Sequence, residues 1–392
     1  MKKDTMEFSI TDLLPLDAEK AVLIGRVFDP LVGGPCVVVV DGTQAVDISS
    51  VEPTVSTLLE RDDLLAAVRE DLSGRRWELQ ELLDATAAGD SSHAQLLAPI
   101  DLQAIKAAGV TFVESMLERV IEERAQGDSS KALAIRERLS AAIGGAISSV
   151  RPGSPEAAQV KEILQAEGLW SQYLEVGIGP DPEIFSKSQV LSAVGTGTDI
   201  GVLARSTWNN PEPEVVLAVR ADGRAVGAAL GNDVNLRDFE GRSALLLTEA
   251  KDNNRSCAIG PFIRLFDDSF SMDDVRELDI ELTVSGPDGF SMDGTSSMKK
   301  ISRDPQELIG HAHGKHHQYP DGFVLFTGTL FSPTQDRHAP GAGFTHEVGD
   351  VVSISNPKLG MLRNTVKHSE EAAPWTEGIW SFIQNLNSRG LL

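Results

Sequence analysis

The sequence predicts an α+β protein, with a mostly β body behind a helical stretch and a small α/β unit in front. Three observations predict it. Short Val/Ile/Leu runs alternate with Gly, Asp and Asn turns from Gly179 to about residue 367. A stretch of helical periodicity at about 112–168 stands directly before that body. The first 95 residues open with strand-like runs and continue with helical ones.

Taken in order, Ala21–Arg26 and Cys36–Val40 read as strands, the second ending at the turn signal Asp41-Gly42. Helical stretches follow around 54–71 and 75–85, and residues 85–92 (ATAAGDSS) read as a linker. A domain boundary near 95 divides the chain into 1–95, a small N-terminal domain, and 96–392, the catalytic body. Val113, Met116, Leu117, Val120 and Ile121 form one stripe of a helix over 112–125. A second helix is expected at 130–143, stopped by Gly144-Gly145. A third starts at Ser154 as N-cap with Pro155 in its first turn and ends at Gly168. One helix near 304–313, announced by Asp304-Pro305, interrupts the β body.

Composition removes several classes of function. The chain has 392 residues, 35 Lys+Arg and 58 Asp+Glu, for a net charge of −23. Phosphate backbones need clustered cations, so a nucleic-acid partner is not expected. Nor is docking on an anionic membrane. The first 95 residues hold 8 basic against 18 acidic side chains, a net −10 that reads as a solvated face. Cys36 and Cys257 are the two cysteines, too few for a disulfide framework. With no signal-peptide pattern and no long apolar run, a cytoplasmic protein is expected.

The sharpest local signal is Asn210-Pro211-Glu212-Pro213-Glu214, followed by the apolar run Val215–Val219. On a strand, residues two apart share a face, so Glu212 and Glu214 point the same way. Two adjacent carboxylates repel, and a cation relieves them. Asp233, inside Gly231–Asp238 (GNDVNLRD), could complete the set from a neighbouring strand. Hard oxygen ligands without Cys or His select Mg²⁺, with Mn²⁺ or Ca²⁺ as substitutes. Taken alone, Glu-x-Glu on a strand is also an ordinary solvated polar face.

An ordered series of motifs decides between these readings. It runs through Asn210–Glu214, Gly231–Asp238, Lys251, Ala258-Ile259-Gly260-Pro261, Thr327-Gly328-Thr329 and Gly349-Asp350, and ends with Leu362-Arg363-Asn364-Thr365-Val366. The series resembles the fumarylacetoacetate hydrolase superfamily. Ala107–Phe112, Leu117–Arg124, Gly168–Val176, Pro182–Phe185 and Gly231–Leu247 are similar to its sugar-acid dehydratase branch. The resemblance implies a mixed β-sandwich roll, a homo-oligomer, and Glu212, Glu214 and Asp233 holding Mg²⁺. It places Lys251 in the active site, Glu183 beside the substrate and Thr329 on the substrate carboxylate, with Arg237 also on the substrate. Hydrolases of the superfamily carry a His-x-x-Glu pair where this chain has Ser115 and Glu118. Serine cannot act unaided as a base near neutral pH, so elimination is favoured over C–C hydrolysis. The implied reaction is dehydration of a 2-keto-3-deoxy pentonate, the xylonate or its arabinonate epimer, to 2,5-dioxopentanoate. The alternatives are hydrolysis of an acylpyruvate or diketo acid with the same metal, or a non-catalytic cation site.

The remaining candidates have plainer readings. Glu118 lies among charged neighbours on a helix, a solvated face unless the family position places it in the site. His311, His313, His316 and His317 could pair at helical spacing as a metal site. Gly314 interrupts them, and a polar helix end is the simpler account. Cys257 precedes an apolar run and reads as buried filler. Gly195-Thr196-Gly197 lacks a strand–turn–helix setting, so no nucleotide cofactor is expected.

Overall fold

In the computed structural model, which describes residues 8–126, 128–136, 150–333, 335–338 and 343–392, two large sheets carry the site. The first runs Arg76–Glu78, Gln44–Asp47, Gly34–Asp41, Leu23–Asp29, Cys257–Leu265, Ala225–Asp233, Pro213–Val219, Phe323–Phe326, Ala104–Gly109 and Glu183–Ser188. Gln95–Leu97 joins it beside Leu23–Asp29. Every pair is antiparallel except Phe323–Phe326 against Ala104–Gly109. The second sheet runs Ser291–Ser297, Asp279–Ser285, Val351–Asn356, Gly360–His368 and Asp199–Val202.

Strand Pro213–Val219 shows why its sequence is a continuous apolar run. Val215, Leu217 and Val219 pack with Ile280, Leu282, Ile354 and Leu362 of the second sheet. Val216 and Ala218 point the other way, into a core with Ile24, Val55, Leu58 and Ile263. A strand buried on both faces has no polar alternation to display. The fold is thus the expected α+β sandwich, with helical segments around large mixed sheets.

The first sheet runs without a break through the segment before residue 95. Leu23–Asp29 pairs with Gly34–Asp41 on one side and with Cys257–Leu265 on the other. The expected helix over 54–71 is two helices, Val55–Leu59 and Leu64–Glu70. The one expected over 75–85 begins later, because Arg76–Glu78 pairs as a strand with Gln44–Asp47. Residues 85–88, read as linker, are the last turn of Leu79–Ala88. Alanine-rich sequence propagates a helix, and left-handed Gly89 stops it only afterwards.

Helix Val113–Ala125 packs Met116, Val120 and Ile121 against Leu164, Tyr173 and Leu174 of the helices Pro155–Ala166 and Gln172–Ile178. Ser154 caps the first of these two by accepting from the Ala157 amide. The expected helix at 130–143 is helical at 129–136, and its remainder with Gly144-Gly145 lies outside the described residues. Helix Pro305–Ala312 starts where Asp304 accepts from the Gln306 amide. Four helices escaped the sequence reading of the β body and the tail: Arg237–Glu240, Leu247–Lys251, Met272–Arg276 and Ile379–Ser388. The first three have four or five residues each, too short to show a period.

Candidate active site

Glu212 and Asp233 are locked together by backbone. The Asp233 amide donates to the Glu212 carbonyl at 3.0 Å, and the Glu212 amide donates to Asn232 Oδ1 at 3.1 Å. Glu214 sits opposite Gly231 on the same strand pair. One carboxylate oxygen each from Glu212, Glu214 and Asp233 lies within 4.8 Å of the others, and all three residues are buried. Glu214 also accepts from the Gly328 amide at 2.6 Å. Gly328 is needed there. Its φ is +90°, and a Cβ would fall 2.0 Å from Thr111 Oγ1.

Three cations face these acids. Lys251, the last residue of Leu247–Lys251, donates to Glu212 at 2.5 Å and Asp233 at 3.0 Å. Lys187, on Glu183–Ser188, lies 2.9 Å from Asp233 and also donates to the Lys251 carbonyl. Arg119, on Val113–Ala125, contacts Glu212, Glu122 at 2.7 Å and Glu240 at 3.0 Å. Burial pushes the Glu214 carboxyl well up, and the negative charges of Asp233 and Glu212 push it further. Asp233 is held below the usual range against its burial, by Lys187 and Lys251. Lys251 is held above its usual range against burial, by Asp233 and Glu212.

Glu183 approaches from the far edge of the sheet, opposite Gly109. A Cβ at Gly109 would fall 2.0 Å from Glu183 Oε2, so only glycine admits the carboxylate there. Burial, followed by the charge of Glu240, pushes the Glu183 carboxyl up to about 7. That range suits a group that exchanges protons near neutral pH.

The donor set fits a divalent cation. Five carboxyls, those of Glu183, Glu212, Glu214, Asp233 and Glu240, meet three cationic side chains, Arg119, Lys187 and Lys251. Among the described residues, Glu212, Glu214 and Asp233 form the single group of acids, His or Cys arranged to hold a metal. Hard oxygens in this arrangement suit Mg²⁺, Mn²⁺ or Ca²⁺.

Most of the residues singled out in the sequence meet here. Glu183, Lys251, Ser115 and Thr329 line one cavity of about 20 Å³ with the three carboxylates. The Ser115 hydroxyl donates to the Phe112 carbonyl at 2.9 Å, at the start of its own helix. Glu118 and Arg237 do not line the cavity. Glu118 forms a fork with Arg136 at 2.7 and 2.6 Å and meets Arg237 at 3.3 Å. Arg237 is 1% exposed, donates to Glu122 at 2.6 Å and stacks on Trp208. The histidines go elsewhere: His313 meets the Ala221 carbonyl at 2.9 Å and His316 the His311 carbonyl at 3.0 Å. Cys257 is buried, and burial pushes its thiol up to about 12.

Sequence reasoning missed Arg119, Lys187 and Glu240. Arg119 lies four residues before Glu123 on a charge-rich helix and looks solvated. Glu240 sits in Asp238-Phe239-Glu240-Gly241-Arg242, which reads as surface. The available signal was Lys187, whose strand position shares a face with the Phe185 side of the site.

A buried three-carboxylate centre on a two-sheet scaffold, with Glu183 and Lys251 beside it, defines a centre whose oxygen ligands suit a divalent metal. The C-terminal model of the fumarylacetoacetate hydrolase family matches residues 171–367, which include all three carboxylates, Glu183 and Lys251. This chain belongs to that family. It is similar to the probable 2-keto-3-deoxyxylonate dehydratase of Haloferax volcanii, 32% identical over 210 residues, 53% of this chain and 68% of that protein. It is also 32% identical to the 2-dehydro-3-deoxy-D-arabinonate dehydratase of Saccharolobus solfataricus over 186 residues, 47% of this chain and 59% of that one. A solved structure of 2-keto-3-deoxy-D-arabinonate dehydratase complexed with magnesium and 2,5-dioxopentanoate superposes with a TM-score of 0.61. The match covers 88% of this chain and 99% of that one at 21% identity, a likeness of fold.

Proposed function

We propose that this chain is a Mg²⁺-dependent hydro-lyase that converts a 2-keto-3-deoxy pentonate to 2,5-dioxopentanoate and water. The observation that carries it is Glu183 and Lys251 lining one cavity with Glu212, Glu214 and Asp233. The two dehydratase relatives and the product complex of the similar structure support the substrate class. Glu212, Glu214 and Asp233 would hold the metal, which when bound polarises a 2-keto group and acidifies the adjacent C3 protons. Glu183 accepts a proton from C3. Lys251, held firmly protonated by its two acids, donates to the C4 hydroxyl as it departs as water. Proton movement from C5 then completes the aldehyde. Thr329 is the partner for the substrate carboxylate. Ser115 spends its hydroxyl proton on its own helix, which favours elimination over base-assisted hydrolysis. The cavity is nearly filled by charged side chains, so substrate enters as these part. We read the protein as a cytoplasmic homo-oligomer acting on a small sugar acid, with no nucleotide cofactor.

The experiment supplies both C4-epimeric 2-keto-3-deoxypentonates with Mg²⁺ and couples the aldehyde to an NAD(P)-linked dehydrogenase. Aldehyde formation with either epimer is expected. Cleavage of acylpyruvates without aldehyde formation overturns the proposal. Glu183→Gln should lower kcat by about 10²–10⁴-fold and abolish C3 deuterium exchange.

A further inference from the structure

A second cavity, of about 490 Å³, lies outside the carboxylate centre. It opens between the strand Gln95–Leu97, the segment Leu191–Thr198 and the C-terminal residues around Trp375 and Phe382. Two arginines line it, and neither forms an ion pair with a described residue. Arg26 is 7% exposed on the strand Leu23–Asp29, donates to the Ile100 carbonyl at 2.5 Å and lies over the Phe382 ring. Arg255 donates to the Ala373 carbonyl at 2.9 Å. Desolvation lowers the pKa of both guanidinium groups, and the acids that oppose it, Asp101 and Glu377 for Arg26 and Asp199 for Arg255, act at a distance and do not reverse it. A buried guanidinium without a partner carboxylate is costly, and an arriving anion relieves that cost.

We propose that this cavity binds a small organic monocarboxylate with an apolar body, its carboxylate held by Arg26 and Arg255. The apolar part of the wall, Phe28, Leu96, Val194, Trp375 and Phe382, suits such a body. The charge of the wall sets the valence. Asp199 lines the cavity already paired with Lys367 at 2.8 Å, and Glu377 lines it too. A dianionic phosphate would meet those two acids, whereas a single carboxylate fits the fork of a guanidinium. The site does not depend on the dehydratase reading. It is nonetheless close in sequence to the active site, since its walls Leu191–Thr198 and Asn254-Arg255 follow Lys187 and Lys251 within a few residues.

The test is calorimetric titration of the full chain with 3-phenylpropionate, against 3-phenylpropanol and inorganic phosphate. Wild type should bind 3-phenylpropionate at least about tenfold more tightly than either control. Arg26→Met and Arg255→Met should each weaken it about tenfold or more, with turnover of the pentonate unchanged. Glu212→Gln should leave it intact, which separates this cavity from the carboxylate centre. Arg255 is only half-buried, so its variant keeps the test open if Arg26→Met fails to fold. No binding, equal binding of phosphate, binding that survives both arginine variants, or binding lost in Glu212→Gln overturns the proposal.

Discussion

Gly109 carries no side chain because the Glu183 carboxylate stands where its Cβ would be. Gly109→Ala should therefore leave the fold in place and move the proposed base. A displacement of about 1 Å at a reacting group costs on the order of 10²-fold in rate, and steady-state kcat against an unchanged circular dichroism spectrum measures it. The Glu183 carboxyl also has a pH signature. Its value in the fold is about 7 against an ordinary 4.5, so the native state binds this proton more tightly than the unfolded chain. Its contribution to stability is full below pH 4.5, declines as pH rises and is lost above about 7. Urea unfolding of metal-free wild type minus Glu183→Gln should show that decline between pH 4.5 and 7. A flat difference would contradict it. Loading a cation nearby favours the carboxylate and should move the window down. At this scale the clustering of Glu212, Glu214 and Asp233 was legible, because the ordered motif series set Glu-x-Glu apart from an ordinary polar face. Arg119 and Glu240 were not, because a charge on a helix reads the same whether it faces water or a buried acid.

Among elements, strand Glu183–Ser188 does more than carry the proposed base. Its Lys187 reaches Asp233 and the Lys251 carbonyl, which couples the outer strand to both a proposed metal ligand and the proposed general acid. Removing one partner of a buried pair leaves the other charge uncompensated. Lys187→Met should destabilise the protein by about 3–5 kcal/mol in chemical denaturation. It should also tighten Mg²⁺ binding in calorimetry, since a positive charge that competes for Asp233 is removed. An unchanged affinity would make Lys187 a fold residue only. The sequence shows this strand poorly. Glu-Ile-Phe-Ser-Lys-Ser lacks clean alternation, since its last two residues, one of them a lysine, are the buried ones. Helix Val113–Ala125 has the same ambiguity: its apolar stripe was readable, but buried Ser115 and Glu122 show that part of its polar side also faces inward.

For the whole molecule, a cation that binds only the folded state adds stability by mass action. Mg²⁺ at about 100 times its Kd should contribute about 2.7 kcal/mol, and chelation should remove it. Asp233→Asn should abolish the gain, and a thermal shift that persists in that variant would place the ion elsewhere. No helix among the described residues is long and apolar enough to cross a membrane. The β-rich body was legible from the rhythm of short apolar runs and turns. The pairing of Leu23–Asp29 with Cys257–Leu265 was not, because nothing local in either segment names a partner so distant in sequence.

That pairing also sets a timetable for synthesis. Leu23–Asp29 finds Gly34–Asp41 as soon as both leave the ribosome, and Gln95–Leu97 soon covers Arg26–Phe28 on its other edge, but Leu23 and Ile24 on that edge wait for a strand roughly 230 residues downstream. At ~5–20 residues per second the wait is ~10–50 s. Throughout it the nascent chain presents a short open edge at Leu23 and Ile24, the kind of surface that pairs with neighbouring chains. Slower translation between these segments should lower the soluble yield, and faster arrival of the downstream strand should raise it.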